Sequence, residues 1–194
     1  MASSEAPRSF ERLPGVRLRP VEPADRPWLR ELYGTTRSAE LDLTAWDEDT
    51  RAAFLNLQFE AQQRDYRGRF PAASFDVIER DGDPVGRLYV DRSGGETRIL
   101  DITLLPAYRG RGLGSALLKA LLQESAAEGR PVTLHVEQNN PARRLYERLG
   151  FEMVVDEGVY HLMLWVPPVA SRGARGPTPN PAPLTRAPEK RSEL

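Results

Sequence analysis

The chain has 194 residues, 40% of them hydrophobic and 28% charged, which is enough for one domain with a real core plus tails. Its formal net charge is −1 with acids and bases interspersed, so it lacks the basic surface of a nucleic-acid binder. Cysteine is absent and the only histidines are His135 and His161, which excludes disulfides, thiol nucleophiles and cysteine- or histidine-rich metal sites.

Residues 1–13 are largely polar and are expected to form a flexible N-terminus, followed by one domain over residues 14–166. Val16-Arg17-Leu18-Arg19 alternates and predicts a short strand. A turn from Pro20 to Pro27 leads into a helix that Asp25 can cap, with Trp28, Leu29 and Leu32 on its apolar face. Asp47 to Tyr66 predicts a longer amphipathic helix, with Ala52, Leu55, Phe59 and Gln62-Gln63 at helical spacing and Arg64 and Arg67 late. Strands are expected at Ser74–Arg80, Val85–Arg92 and Thr97–Leu104, joined by turns at Asp81-Gly82-Asp83-Pro84 and Ser93-Gly94-Gly95. These form an antiparallel meander.

A glycine-rich turn and a helix through Ser115–Leu122 then lead to a strand at Val132–Val136, a crossover that should be parallel and right-handed. Asn140 caps a further helix with Pro141 at its first position, and Ala142, Leu145, Tyr146 and Leu149 share one face. Gly150 ends that helix as a left-handed cap, and Phe151–Val155 and Val159–Val166 pair as the last two strands. Residues 167–194 are rich in Pro, Ala, Arg and Gly and are expected to be a disordered tail. No stretch resembles a signal h-region or approaches the ~18 apolar residues of a membrane span, so a cytoplasmic location is expected.

The chemistry concentrates in Leu104–Gly114, Leu-Leu-Pro-Ala-Tyr-Arg-Gly-Arg-Gly-Leu-Gly, between a strand and a helix. Glycines at a helix start cost stability and need a reason. Gly110, Gly112 and Gly114 let a ligand approach the backbone, and the first helical N–H groups point outward without intrahelical partners. The helix dipole and the charges of Arg109 and Arg111 favour an anion, so the stretch reads as a phosphate or pyrophosphate site. A Walker A loop would need Lys-Ser/Thr where Ser115-Ala116 stands. A dinucleotide fingerprint would need glycine at Ser115 or at Leu117.

Arg109-x-x-Gly112-x-Gly114 instead resembles motif A, R/Q-x-x-G-x-G/A, of the GCN5-related N-acetyltransferase (GNAT) superfamily, which holds the pyrophosphate of acetyl-CoA. The run from His135 to Phe151, His-Val-Glu-Gln-Asn-Asn-Pro-Ala-Arg-Arg-Leu-Tyr-Glu-Arg-Leu-Gly-Phe, resembles the family's strand followed by N-x-x-A-x-x-L-Y-E-x-x-G-F. Two motifs in the right order are far more specific than either alone. The resemblance implies a GNAT-like α/β fold with a mixed sheet, whose fourth and fifth strands splay apart to admit the cofactor.

It also implies acetyl-CoA-dependent transfer of an acetyl group to a primary amine, with no metal. The cofactor would be held by Leu104, Leu105, Arg109, Gly110, Arg111, Gly112, Leu113, Gly114 and Ser115, and by Asn140 and Arg143 on the following helix. Tyr146 matches the family tyrosine that protects the leaving thiolate. An amine of pKa about 10.4 must also lose a proton, and Glu96 and Asp101 are the candidate bases. Strand alternation puts these two on opposite faces unless a bulge intervenes. His135 is expected to be a core histidine, while Tyr160 and His161 could line the acceptor pocket. Tyr33, Trp46, Phe59 and Gln62 lie on the early helices that cover the acceptor side in the family. The acceptor is a small-molecule or peptide amine, and a homodimer is left open. The alternatives are a non-catalytic acetyl-CoA sensor and a dinucleotide-dependent oxidoreductase.

Overall fold

A computed structural model of the chain describes residues 10–168. Seven strands run β1 (Val16–Pro20), β2 (Ser74–Arg80), β3 (Asp83–Asp91), β4 (Thr97–Leu104), β5 (Val132–Glu137), β6 (Glu152–Asp156) and β7 (Tyr160–Trp165). Five helices accompany them: α1 (Arg26–Gly34), α2 (Ser38–Leu41), α3 (Glu48–Arg69), α4 (Leu113–Ala127) and α5 (Arg143–Arg148). Among the described residues no helix is long and apolar enough to cross a membrane.

The strands make one open sheet in the order β1-β2-β3-β4-β5-β7-β6. Every neighbouring pair is antiparallel except β4 and β5, which α4 connects in parallel. Alternation on β3 separates the two faces. Leu88 and Val90 join Leu117, Leu118 and Leu121 of α4 in the main core, while Arg87 and Tyr89 face α1 and α3. Helices on both faces explain why Val85–Val90 is buried without a break. A second, smaller core of Leu29, Leu32, Tyr33 and Phe59 joins α1 to α3.

Several local expectations need correction. Of the expected flexible residues 1–13, only 10–13 are described; Phe10–Arg12 form a 3-10 turn, and Phe10 is buried in the main core. An apolar ring anchors the chain there, ahead of position 14. The expected tail, residues 167–194, lies outside the described residues apart from 167 and 168. Asp25 makes no side-chain cap to α1; its carboxylate accepts from Glu22 N at 2.7 Å and from Arg19 at 2.7 and 2.8 Å. Asp47 does cap α3, accepting from Thr50 N at 2.8 Å, but Ala52 is exposed. The α5 helix begins at Arg143, because Pro141 and Ala142 form a turn in which Ala142 N donates to Asn140 Oδ1 at 2.9 Å.

The β4–β5 ladder is short. Thr97, Arg98 and Ile99 pair with Val132, Thr133 and Leu134, after which β4 runs to Leu104 and β5 to Glu137 without pairing to each other. The parting coincides with a bulge. Val90 of β3 faces Ile99 and Tyr89 faces Asp101, so Leu100 is the extra residue. The expected splay of the fourth and fifth strands is thus present in the register itself.

Candidate active site

The glycine loop folds as its residue types require. Gly110 and Gly112 have φ of +70° and +85°, in the left-handed region that favours glycine. Gly112 is the N-cap of α4, and the first intrahelical bond runs from Ala116 N to Gly112 O at 2.9 Å. The N–H groups of Leu113, Gly114 and Ser115 therefore stand ahead of the helical ladder. A Cβ built at Gly110 or Gly112 would meet nothing within 4 Å, so open space lies in front of this backbone. Leu113 is 5% exposed and fixes the first turn to the core, beside Leu104. Leu105 packs against the second core, and its N–H donates to Val85 O at 2.8 Å.

The two loop arginines differ. Arg109 Nε donates to Leu104 O at 2.8 Å and its Nη2 to Thr35 Oγ1 at 2.7 Å. Its side chain ties the loop to the end of β4 and to the corner after α1, and burial lowers its pKa. Arg111 is exposed and forms no ion pair among the described residues.

Tyr146 on α5 is 7% exposed, with its ring edge-on to Phe151 at 5.8 Å between centroids. Burial first, and the Asp101 carboxylate second, push its hydroxyl up to about 12. The Asp101 charge, on β4 just past the last residue paired with β5, thus acts on the Tyr146 hydroxyl. Asp101 itself is engaged: Arg87 Nη2 donates to Oδ2 and Thr103 Oγ1 to Oδ1, both at 2.7 Å. Glu96 precedes β4 and is paired with Arg98 at 2.6 Å, so the two candidate bases are not brought together.

Other expected residues divide as follows. Asn140 is exposed and caps its own turn. Arg143 donates to Glu147 Oε1 at 2.9 Å, and its Nη1 lies 3.5 Å from His161 Nδ1. His161 is 4% exposed beneath Arg143, so it is packed on the α5 side and is no pocket lining. His135, expected in the core, is only half-buried, and burial lowers its pKa below 6.5. Tyr160 donates to Glu137 Oε1 at 3.1 Å, and Arg37 reaches the same oxygen at 3.5 Å. Tyr33 and Phe59 are core residues, whereas Trp46 is exposed and packs edge-on to Phe54. Gln62 accepts from Arg87 at 2.9 Å.

Arg87 is the residue that sequence reasoning missed. It is 1% exposed, yet it stands on a strand whose run Val-Gly-Arg-Leu-Tyr-Val reads only as half-buried alternation. A cavity of about 290 Å³ between α1 and α3, lined in part by Leu29, Phe59 and Gln63, shares no lining residue with the loop or with Tyr146. Among the described residues no group of His, Asp or Glu side chains could hold a metal ion.

Comparison with known proteins agrees with this geometry. A mycothiol acetyltransferase of Streptomyces griseus subsp. griseus is 35% identical over 123 residues, 57% of this chain and 39% of that protein. The chain thus spans about two fifths of the length of such curated relatives. A putative [ribosomal protein bS18]-alanine N-acetyltransferase of Bacillus subtilis is 30% identical over 105 residues, 50% of this chain and 70% of that protein. The PaiA N-acetyltransferase of Thermoplasma acidophilum, solved in complex with coenzyme A, shares the fold at a TM-score of 0.58 and 16% identity, over 78% of this chain and 98% of that one. Ard1 of Thermoplasma volcanium does so at 0.52 and 23%, over 79% and 98%. Residues 28–151 match the model of the acetyltransferase (GNAT) family, and with its parted strands and glycine-capped α4 the chain belongs to that family.

Proposed function

We propose that the protein is an N-acetyltransferase that uses acetyl-CoA to acetylate a primary amine on a small molecule or peptide. The carrying observation is the β4–β5 ladder that stops at Ile99 and Leu134, with the unbonded first-turn amides of α4 beyond that parting. The residues fit such a donor. The N–H groups of Leu113, Gly114 and Ser115, the open backbone at Gly110 and Gly112 and the exposed Arg111 suit a pyrophosphate. The main chain of β4 past Leu100 has no partner on β5, which suits an extended arm added like a strand. Arg109 anchors the loop through Nε and Nη2 and brings a second positive charge to it.

Acetyl-CoA would supply an acetyl group activated as a thioester, whose thiolate has a pKa of about 8.5. Tyr146 is the group we assign to that thiolate. With its hydroxyl at about 12, Tyr146 stays protonated throughout the neutral and mildly alkaline range. Full proton transfer from such a phenol to a thiolate near 8.5 is uphill, so Tyr146 acts as a hydrogen-bond donor and water supplies the proton. Asp101, whose charge acts on Tyr146, is the carboxylate we assign to the amine, with Glu96 as the second candidate; both are ion-paired, Asp101 with Arg87 and Glu96 with Arg98. Asn140 and Arg143 border the site from the α5 side.

The test is a titration with acetyl-CoA, CoA and NAD, followed by an acetyl-transfer panel read by released CoA thiol. The panel holds small amines, amino acids, antibiotics and peptides, including one that begins with alanine. Micromolar acetyl-CoA binding with transfer to one class of amine is expected. Binding without transfer to any of them would favour a sensor, and binding of NAD without CoA would overturn the reading.

A further inference from the structure

Nothing in a parallel β-α-β unit by itself stops β4 and β5 from pairing along their whole length. Their apolar ladder could continue past Ile99 and Leu134, which would satisfy backbone groups on both strands. Something must hold the two apart before a ligand arrives. The bulge at Leu100 is where they part, and a bulge leaves the extra residue's polar groups out of the ladder.

Two side chains from other elements meet β4 at this point. Tyr66, in the last turns of α3, donates its hydroxyl to Leu100 O at 3.1 Å. Burial, then the Asp101 charge, push its pKa up, so it remains a donor. Arg87 on β3 donates to Asp101 Oδ2 at 2.7 Å, the side chain next after the bulge. Its side chain is 1% exposed and that of Asp101 9%. Gln62 of α3 accepts a second bond from Arg87 Nη2, while its Nε and Nη1 have no hydrogen-bond partner. Aromatic rings stand in for those partners: Tyr89 lies 5.2 Å and Tyr33 6.0 Å from the guanidinium carbon. Tyr66 packs edge-on against Tyr89, which joins the two contacts into one unit.

We propose that Tyr66 and Arg87 are positioning residues that pin the bulge of β4 to α3 and β3 and so hold the donor cleft open. Neither touches the glycine loop, and Arg87 reaches the amine's side of the site only through Asp101. Their effect is on the fraction of molecules whose β4 is free of β5, and ligand affinity falls in proportion to that fraction. The inference rests on the reading that coenzyme A binds between β4 and β5.

The experiment measures CoA binding by calorimetry and melting temperature for the full chain and four variants. Tyr66→Phe keeps the ring on Tyr89 and removes only the hydroxyl. It should shift the balance toward paired strands about 5- to 10-fold, the worth of one hydrogen bond, and raise the Kd for CoA by up to that factor. Arg87→Met should weaken binding further, and Arg87→Lys, which keeps the charge without the planar fork, should recover part of the loss. Leu18→Val, buried on the edge strand β1 with β2 and β3 between it and β4, supplies a loss of core packing and should leave Kd unchanged. If Arg87→Met does not fold, Tyr66→Phe and Arg87→Lys decide. Folded Tyr66→Phe and Arg87→Lys proteins with wild-type Kd would overturn the inference. Wild-type protein that fails to bind CoA would overturn the donor reading instead.

Discussion

Tyr146 is buried edge-on to Phe151, and burial holds its hydroxyl up at about 12, above its ordinary value of 10. A buried phenol at about 12 is a poor acid toward a thiol, but it is a permanent donor. Tyr146→Phe keeps the edge-on contact with Phe151 and removes that donor. We expect kcat to fall about 10- to 100-fold, the value of a hydrogen bond to an anion, and not the ~10⁴ upper reach of full general-acid help. Affinity for acetyl-CoA and melting temperature should stay near wild type. The kcat–pH profile should show no alkaline limb that Tyr146→Phe removes. Steady-state kinetics across pH check both points; an unchanged kcat with chemistry rate-limiting would make Tyr146 a core residue only. Tyr146 was legible as a candidate because its neighbours Leu145, Glu147 and Gly150 match the family motif. Asp101 was legible only as a carboxylate on β4, since its partners lie on β3 and two positions along its own strand.

At the scale of elements, α4 and the glycine turn in front of it could be read from sequence, since Gly110 and Gly112 permit the left-handed turn and the residues after Gly114 are good helix formers. The bulge at Leu100 could not. Ile-Leu-Asp-Ile-Thr-Leu satisfies strand alternation without one, and the extra residue shows only in the pairing of Tyr89 with Asp101 and Val90 with Ile99. Helix α2 was missed for a related reason: four residues are too short for a periodic signal. The glycine turn offers a clean test. Gly112→Ala places a methyl in open space at φ +85°, so nothing clashes, and the left-handed backbone costs about 1–2 kcal/mol. Gly158→Ala incurs the same backbone cost at φ +81°, also in open space, on the β6–β7 turn. The two should lose similar stability. Only Gly112→Ala should weaken CoA, by at least about tenfold, since its methyl stands where an anion would meet the backbone. Calorimetry with both variants checks this, and equal CoA affinity would remove Gly112 from the donor site.

For the molecule as a whole, two cores divide the labour. The core between the sheet and α4 sets the ladder and the loop, while the one between α1 and α3 brings Tyr66 and Thr35 to the site from the other face. Ionisable groups couple this assembly to pH, and their signs differ. Burial lowers the pKa of His135, so the unfolded chain binds its proton more readily than the fold does. Its contribution is complete above the unfolded value of about 6.5 and is lost as pH falls through the lower folded value. Asp25, lowered chiefly by its hydrogen bonds from Arg19, contributes in the same sense, but only as pH falls below 3.8. Asp76 acts oppositely: burial raises its pKa above 3.8, so the cost of its buried charge is relieved as pH falls through that raised value. Between about pH 7 and pH 5 the histidine works against stability as pH falls, and the raised Asp76 is the group that opposes it. Melting temperature should therefore drop over this interval in the wild type. His135→Gln keeps a polar side chain near Glu157 without a titrating ring, and should flatten the drop. Asp76→Asn should raise melting temperature at about pH 7, with the gain shrinking as the buffer approaches the acid range. Thermal melts of the three proteins over these buffers read out both signs at once. A wild-type drop that persists undiminished in His135→Gln would assign the acid sensitivity to other groups.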